Sequence, residues 1–85
     1  MKIQLTTQKQ NKVGSTFITT ETENKVIDFK TFDLLTNKDT LKWFRNLGGS
    51  ETATKEYTAR GYNITKLIST SPNKQERTIR TFNFD

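Results

Sequence analysis

The sequence predicts an α+β fold, a small antiparallel sheet of about five or six strands in the order βββ-α-ββ(β), with one helix packed on one face. Three observations support it. Apolar and polar residues alternate in the first third of the chain, as they do in strands. Apolar residues at helical spacing in the middle precede Gly48-Gly49. The last third has a turn signal at Ser71-Pro72 between two apolar segments. With 85 residues, the chain is expected to form a single domain, 1–85.

The N-terminal third is predicted to form a three-stranded meander. Residues 2–8 alternate, with Ile3 and Leu5 on one face, and a turn is expected at residues 11–14. After a second strand, a turn is expected at residues 23–25. Residues 26–32 alternate again and are predicted to be the third strand.

The helix is predicted to begin at Thr36, a good N-cap residue, with Asp39 three positions later as in a weak capping box. The side chains predicted to face the sheet are Leu41, Phe44 and Leu47. A separate cationic stripe consists of Lys38, Lys42 and Arg45. Trp43 lies between these two faces, and Gly48-Gly49 is expected to end the helix.

The C-terminal third is predicted to contain a short strand at residues 54–58, a bend at Arg60-Gly61 and then a hairpin. A three-residue loop, 72–74, gives the best apolar cross-strand pairs, because it sets Leu67 opposite Ile79 and Ile64 opposite Phe82. The same register predicts that Lys66 lies opposite Arg80. Like charges in that position repel each other unless an anion bridges them.

Composition excludes several kinds of chemistry. The chain has no Cys and no His, which removes disulfides, thiolate nucleophiles, Cys/His zinc ligands and the commonest proton-transfer group. No motif activates a Ser or Thr hydroxyl, so we expect no enzyme activity, no metal and no cofactor. The N-terminus lacks an apolar run that would form a signal peptide or membrane span, and a soluble cytoplasmic protein is the expectation.

The formal net charge is +5, and the positive charge gathers towards the two ends of the chain. This distribution is compatible with a polyanionic partner or with ordinary solubility. The first functional hypothesis is a non-catalytic protein that binds single-stranded nucleic acid, or its backbone, without reading sequence. The residues predicted to contact nucleic acid are Arg60, Tyr62, Lys66, Arg77, Arg80 and Phe82. The alternative for that face is that its aromatic residues form the core and its cations lie at the core's edge.

The second hypothesis is a protein-binding module or inhibitor that docks on a host enzyme through an edge strand or Trp43. The residues proposed for that surface are Trp43, Lys38, Lys42 and Arg45. A homo-oligomer or a structural subunit of a larger assembly is a third possibility. The small size, the bias towards Thr, Asn and Lys and the missing Cys and His give a compositional resemblance to accessory proteins of bacteriophages or mobile elements.

Overall fold

The computed structural model describes residues 2–84, which form an open antiparallel sheet and a bent helix. The strands are β1 (Ile3–Val13), β2 (Thr16–Ile27), β3 (Ser50–Thr58), β4 (Gly61–Thr70) and β5 (Glu76–Phe84). Between β2 and β3 lie the two helical segments, α1 (Phe29–Thr36) and α2 (Lys38–Asn46). The sheet order is β2-β1-β5-β4-β3, and neighbouring strands are antiparallel throughout. The predicted α+β class, with five strands and one helix, is therefore confirmed.

The third strand predicted at residues 26–32 is wrong, and so is the turn at 23–25. Strand β2 continues through that turn to Ile27, and α1 begins directly afterwards. The reason is Asp28, whose carboxylate accepts a 2.8 Å hydrogen bond from the backbone N–H of Thr31 and caps the helix. The three-residue spacing of Phe29 and Phe32 then turns both rings towards the sheet. The observed order is ββ-α-βββ.

The helix bends at Asn37, which separates its two segments. Thr36, predicted as the N-cap, is instead the last residue of α1, and its hydroxyl donates to the carbonyl of Phe32 at 2.8 Å. Asn37 has extended backbone, and its side-chain oxygen accepts from the N–H of Thr40 at 2.8 Å, which caps α2. The predicted end at Gly48-Gly49 is confirmed, because Gly48 has a φ of +92°.

The core lies on one face of the sheet, where the helix covers it. Its buried members are Ile3, Leu5, Ile27, Phe32, Leu67 and Phe82. The Phe32 ring meets Phe82 edge-on, with centroids 5.0 Å apart, and joins helix to sheet. Of the three apolar residues predicted to face the sheet, Leu41 and Phe44 are half-buried. Leu47 is 56% exposed, and its predicted position is wrong because it follows the last residue of α2 as the C-cap. We call this side of the sheet the helix-covered face and the other side the open face.

The register predicted for the last hairpin is wrong by one residue. Ile68 lies opposite Ile79, which places Leu67 opposite Arg80 and Lys66 opposite Thr81. The backbone N–H of Ser71, just after β4, donates to the carbonyl of Glu76 at 2.8 Å. This pair closes the turn, so the loop inside it has four residues, 72–75, instead of the three predicted. Facing residues of an antiparallel pair share a face, so Lys66 and Arg80 lie on opposite faces of the sheet. The predicted repulsion between them does not arise.

A β-bulge changes which side chains of β4 share a face. Thr54 lies opposite Lys66, but the next residue of β3, Lys55, lies opposite Ile64. Thr65 is therefore the extra residue, and the face of the strand switches at that point. Ile64 packs against the core on the helix-covered face, whereas Lys66 belongs to the open face. Only residues 66–70 of β4 pair with β5, so the outer part of the β3–β4 hairpin extends beyond the rest of the sheet.

The Asp28 cap predicts an acid-sensitive contribution to stability. The N–H and hydroxyl of Thr31 hold the pKa of Asp28 below its ordinary value of 3.8. A lowered folded-state pKa stabilises the protein above the ordinary value, and this contribution disappears as pH falls through the folded-state pKa. We expect Asp28→Asn, which caps without titrating, to lose less stability than the unmodified protein on acidification below 3.8. Urea unfolding at a series of pH values measures the difference. Parallel stability curves would contradict the assignment.

Candidate nucleic-acid interface

A cleft of about 780 Å³ separates α2 from the β3–β4 hairpin on the helix-covered face. It exists because the hairpin extends past the end of its pairing with β5, and α2 crosses beside it. Its apolar walls include Phe32, Leu41 and Ile64. These residues also belong to the core or pack against it, so the core supports the floor of the cleft. We call it the basic cleft.

Four cationic side chains line the basic cleft, namely Lys38, Lys42, Arg45 and Lys55. The first three form one stripe of α2, because residues three and four apart are neighbours on a helix. Lys55 comes from β3, on the other wall. All four are exposed, and no Asp or Glu of residues 2–84 lines this cleft. The cations of both walls therefore raise the positive electrostatic potential in the cleft together, and no acidic side chain within that range lines it to oppose them.

Two exposed tyrosines lie at the outer end of the hairpin. Tyr62 lines the basic cleft and is 78% exposed, and its cross-strand partner Tyr57 is 76% exposed. Their ring centroids are 5.3 Å apart in an edge-to-face arrangement. The core rings Phe32 and Phe82 are both buried, in contrast. The tyrosine rings are the large aromatic surfaces of this region that a flat ligand can reach.

The six residues predicted to contact nucleic acid lie in separate parts of the structure and do not form one surface. Only Tyr62 lies in the basic cleft. The guanidinium of Arg60 lies 3.6 Å from the ring centroid of Phe29, at the edge of the core. Arg80 is half-buried beside a different cavity. Phe82 is only 1% exposed, so its ring cannot stack on a base, and we leave it out of the proposed surface.

The remaining two predicted residues, Lys66 and Arg77, lie on the open face. The guanidinium of Arg77 stacks 4.1 Å from the ring centroid of Phe17 and donates to the side-chain oxygen of Gln10. These contacts hold the Arg77 side chain against its own sheet. Lys66 is exposed but separated from Arg77 by the buried Ile79 and its partner Ile68. The open face thus brings fewer free cations together than the basic cleft does.

The residues proposed for a protein partner lie on two sides of α2. Lys38, Lys42 and Arg45 line the basic cleft, where they meet Tyr62. Trp43 is 63% exposed and lies on the other flank of the helix. The cationic stripe, which the sequence assigned to a protein partner, and Tyr62, which it assigned to nucleic acid, therefore form one surface. Lys55 was not among the residues predicted to contact a partner. The alternation of β3, which places Lys55 on the same face as Tyr57, could have indicated it.

Comparison with protein-family models, with curated proteins and with solved structures gave no match to this chain. None of the helical segments within residues 2–84 is long and apolar enough to cross a membrane. In that same part of the chain, no three acidic side chains are grouped closely enough to hold a metal ion.

Proposed function

We propose that this protein is a non-catalytic binder of single-stranded nucleic acid and that the basic cleft is its binding site. The observation that supports this most is the composition of the cleft, with four exposed cations, no acid and one exposed aromatic ring. Cations attract the phosphates of a strand, and an exposed tyrosine ring stacks on an unpaired base. The combination favours single strands because the bases of a duplex are already stacked on each other.

Sequence readout is not part of the proposal for the basic cleft. Its polar groups are mainly ammonium and guanidinium groups on long, exposed side chains, which suit phosphates better than base edges. The side-chain nitrogen of Asn63 is already engaged by the hydroxyl of Thr58 and the carbonyl of Gly61. Binding in the cleft should therefore depend on backbone charge and on stacking, and only weakly on base identity.

The experiment that tests this function is a salt series with fluorescent single-stranded and double-stranded oligonucleotides. Four neutralised phosphates on a single strand give a log–log slope of about −2.8, at about −0.7 for each phosphate. We expect a slope near that value and tighter binding of oligo(dT) than of a duplex of the same length. No binding at low salt, or equal binding of both forms, would contradict the proposal.

Tyr62 should contribute to affinity without contributing to stability. Replacing a stacked aromatic residue costs about 1–3 kcal/mol per base, so Tyr62→Ala is expected to weaken oligo(dT) binding by about 5- to 150-fold. Because the ring is 78% exposed, the change in unfolding free energy should stay within about 0.5 kcal/mol. Fluorescence anisotropy and urea unfolding measure the two effects. Tyr62→Phe keeps the ring and is the matched control, which should bind like the unmodified protein.

A protein-binding module is the second candidate, and exposed Trp43 is the observation that favours it. Strands β2 and β3 are the two edges of the sheet, and each offers one unpaired side to an extended segment of a partner. Under this alternative, Trp43→Ala abolishes capture of the partner. Under the function proposed here, oligo(dT) binding survives Trp43→Ala and is lost when the cations of the cleft are reversed.

A further inference from the structure

A second, smaller cavity of about 280 Å³ lies on the other flank of α2. Leu35, Phe44 and Leu67 form its apolar walls, and the exposed indole of Trp43 forms part of its rim. Its polar lining includes the side chains of Glu51 and Arg80. We call it the Trp43 cavity. At the lower limit of small-molecule sites, its size suits a group as large as one aromatic heterocycle.

The carboxylate of Glu51 lacks hydrogen-bond donors in this cavity. One oxygen, Oε2, is enclosed and has no partner, while Oε1 accepts a single long bond of 3.5 Å from the hydroxyl of Ser69. Burial raises the pKa of Glu51, against the opposing charges of Arg45 and Arg80 and the Ser69 bond. A carboxylate can accept about four hydrogen bonds, and leaving it short of donors costs free energy. A ligand that donates N–H groups would relieve this cost.

The surroundings of Glu51 restrict the chemistry of that donor. A cationic ligand is disfavoured, because the positive charges of Arg45 and Arg80 already act on Glu51. The apolar walls and the exposed indole suit a flat, neutral ring. Arg80 adds a donor, so the ring should also carry an acceptor. A soft terminal torsion lets Glu51 turn either oxygen towards such a ring.

We propose that the Trp43 cavity binds a guanine base, which stacks on Trp43. Its N1–H and 2-amino group donate to the Glu51 carboxylate, and its O6 accepts from the Arg80 guanidinium. A base of a bound strand and a free guanine nucleotide present the same chemistry. Only the first of these sources rests on the function proposed above.

The first arm of the test uses free nucleotides. Trp43 is the only tryptophan of the chain, so its fluorescence reports directly on the cavity. We expect GMP to quench it saturably and to bind at least about tenfold more tightly than IMP, which lacks the 2-amino group. Equal binding of GMP and IMP to the unmodified protein, or no saturable quenching, would overturn the proposal without any need for a variant.

The second arm replaces one of the two acceptor oxygens of Glu51 by an amide group that donates. Glu51→Gln keeps the size of the side chain and removes a charge that burial already disfavours, so the variant should fold. The preference for GMP over IMP should disappear in it. Glu56→Gln makes the same charge change at an exposed position outside the cavity and should keep the preference. Retention of the preference in Glu51→Gln would overturn the assignment of Glu51.

The third arm distinguishes a base of a bound strand from a free nucleotide. It also distinguishes failure of the guanine site from failure of the proposed nucleic-acid function. An oligo(dT) carrying one central dG is compared with plain oligo(dT). Tighter binding of the dG strand that depends on Glu51 places the base of a bound strand in the cavity. If neither strand binds but GMP quenches Trp43, the nucleic-acid function fails and the guanine site stands for the free nucleotide. If oligo(dT) binds and neither dG nor GMP is preferred, the guanine site fails alone.

Discussion

Phe82→Ala is expected to lower the unfolding free energy by about 3–5 kcal/mol, the usual loss for deleting a buried aromatic ring. Phe82 is 1% exposed, faces Leu5 of β1 in the sheet and meets the ring of Phe32 from the helix. Its removal therefore opens a cavity where β1, β5 and α1 converge. A domain of 85 residues has a total stability of roughly 4–13 kcal/mol, so this loss removes between about a quarter and all of it.

Urea unfolding followed by far-ultraviolet circular dichroism measures this loss. Tyr57→Ala is the control, because it deletes an aromatic ring of similar size that is 76% exposed. That variant should change the unfolding free energy by no more than about 0.5 kcal/mol. Similar losses in the two variants would contradict the position assigned to Phe82 in the core.

The second large effect is expected from Lys38→Glu/Lys42→Glu/Arg45→Glu, which reverses one wall of the basic cleft. At about 1 kcal/mol for each lost exposed ion pair, affinity for oligo(dT) should fall on the order of 100-fold at low salt. The log–log salt slope should become shallower by about 2, since three phosphate contacts disappear. Stability should fall less than binding does, because the three side chains are exposed, although Arg45→Glu replaces the favourable charge near Glu51 by a like one.

The matched control for that variant is Lys12→Glu/Lys66→Glu/Lys74→Glu. It changes the net charge by the same amount but reverses exposed lysines outside the basic cleft. It also removes Lys66, which the sequence predicted to be a contact. We expect its affinity for oligo(dT) to fall by less than about tenfold, because only the overall positive potential of the protein is reduced. Equal losses in the two triple variants would mean that net charge, and not the cleft, controls binding.

The fold class could be predicted from the sequence because the alternation of β1 and the apolar spacing of α2 are strong local signals. The boundary at residues 26–32 could not be predicted in the same way. Ile27, Phe29 and Thr31 alternate as in a strand, while Phe29 and Phe32 also have helical spacing. The Asp28 cap and the packing of Phe32 against Phe82 favour the helix over the strand. The contact between Phe32 and Phe82 joins residues that are distant in the sequence, so a local pattern does not show it.

The candidate site could be predicted only in part, and the reason is the bulge at Thr65. In a regular strand Tyr62, Ile64 and Lys66 would share one face, which is how the sequence grouped them. The bulge leaves Tyr62 and Ile64 on the helix-covered face and moves Lys66 to the open face. A one-residue insertion has no distinct signature in the sequence of β4. The cationic stripe of α2 was visible, but its position beside Tyr62 depends on how the helix packs.

The basic cleft is the surface that we propose to contact nucleic acid. The most direct test is a titration of isotope-labelled protein with a short oligo(dT), followed by two-dimensional ¹H–¹⁵N NMR. We predict that the largest amide shifts map to Lys38, Lys42, Arg45, Lys55 and Tyr62, which line the cleft. Shifts concentrated on the open face, around Phe17, Lys66 and Arg77, or no shifts at all at low salt, would contradict the claim.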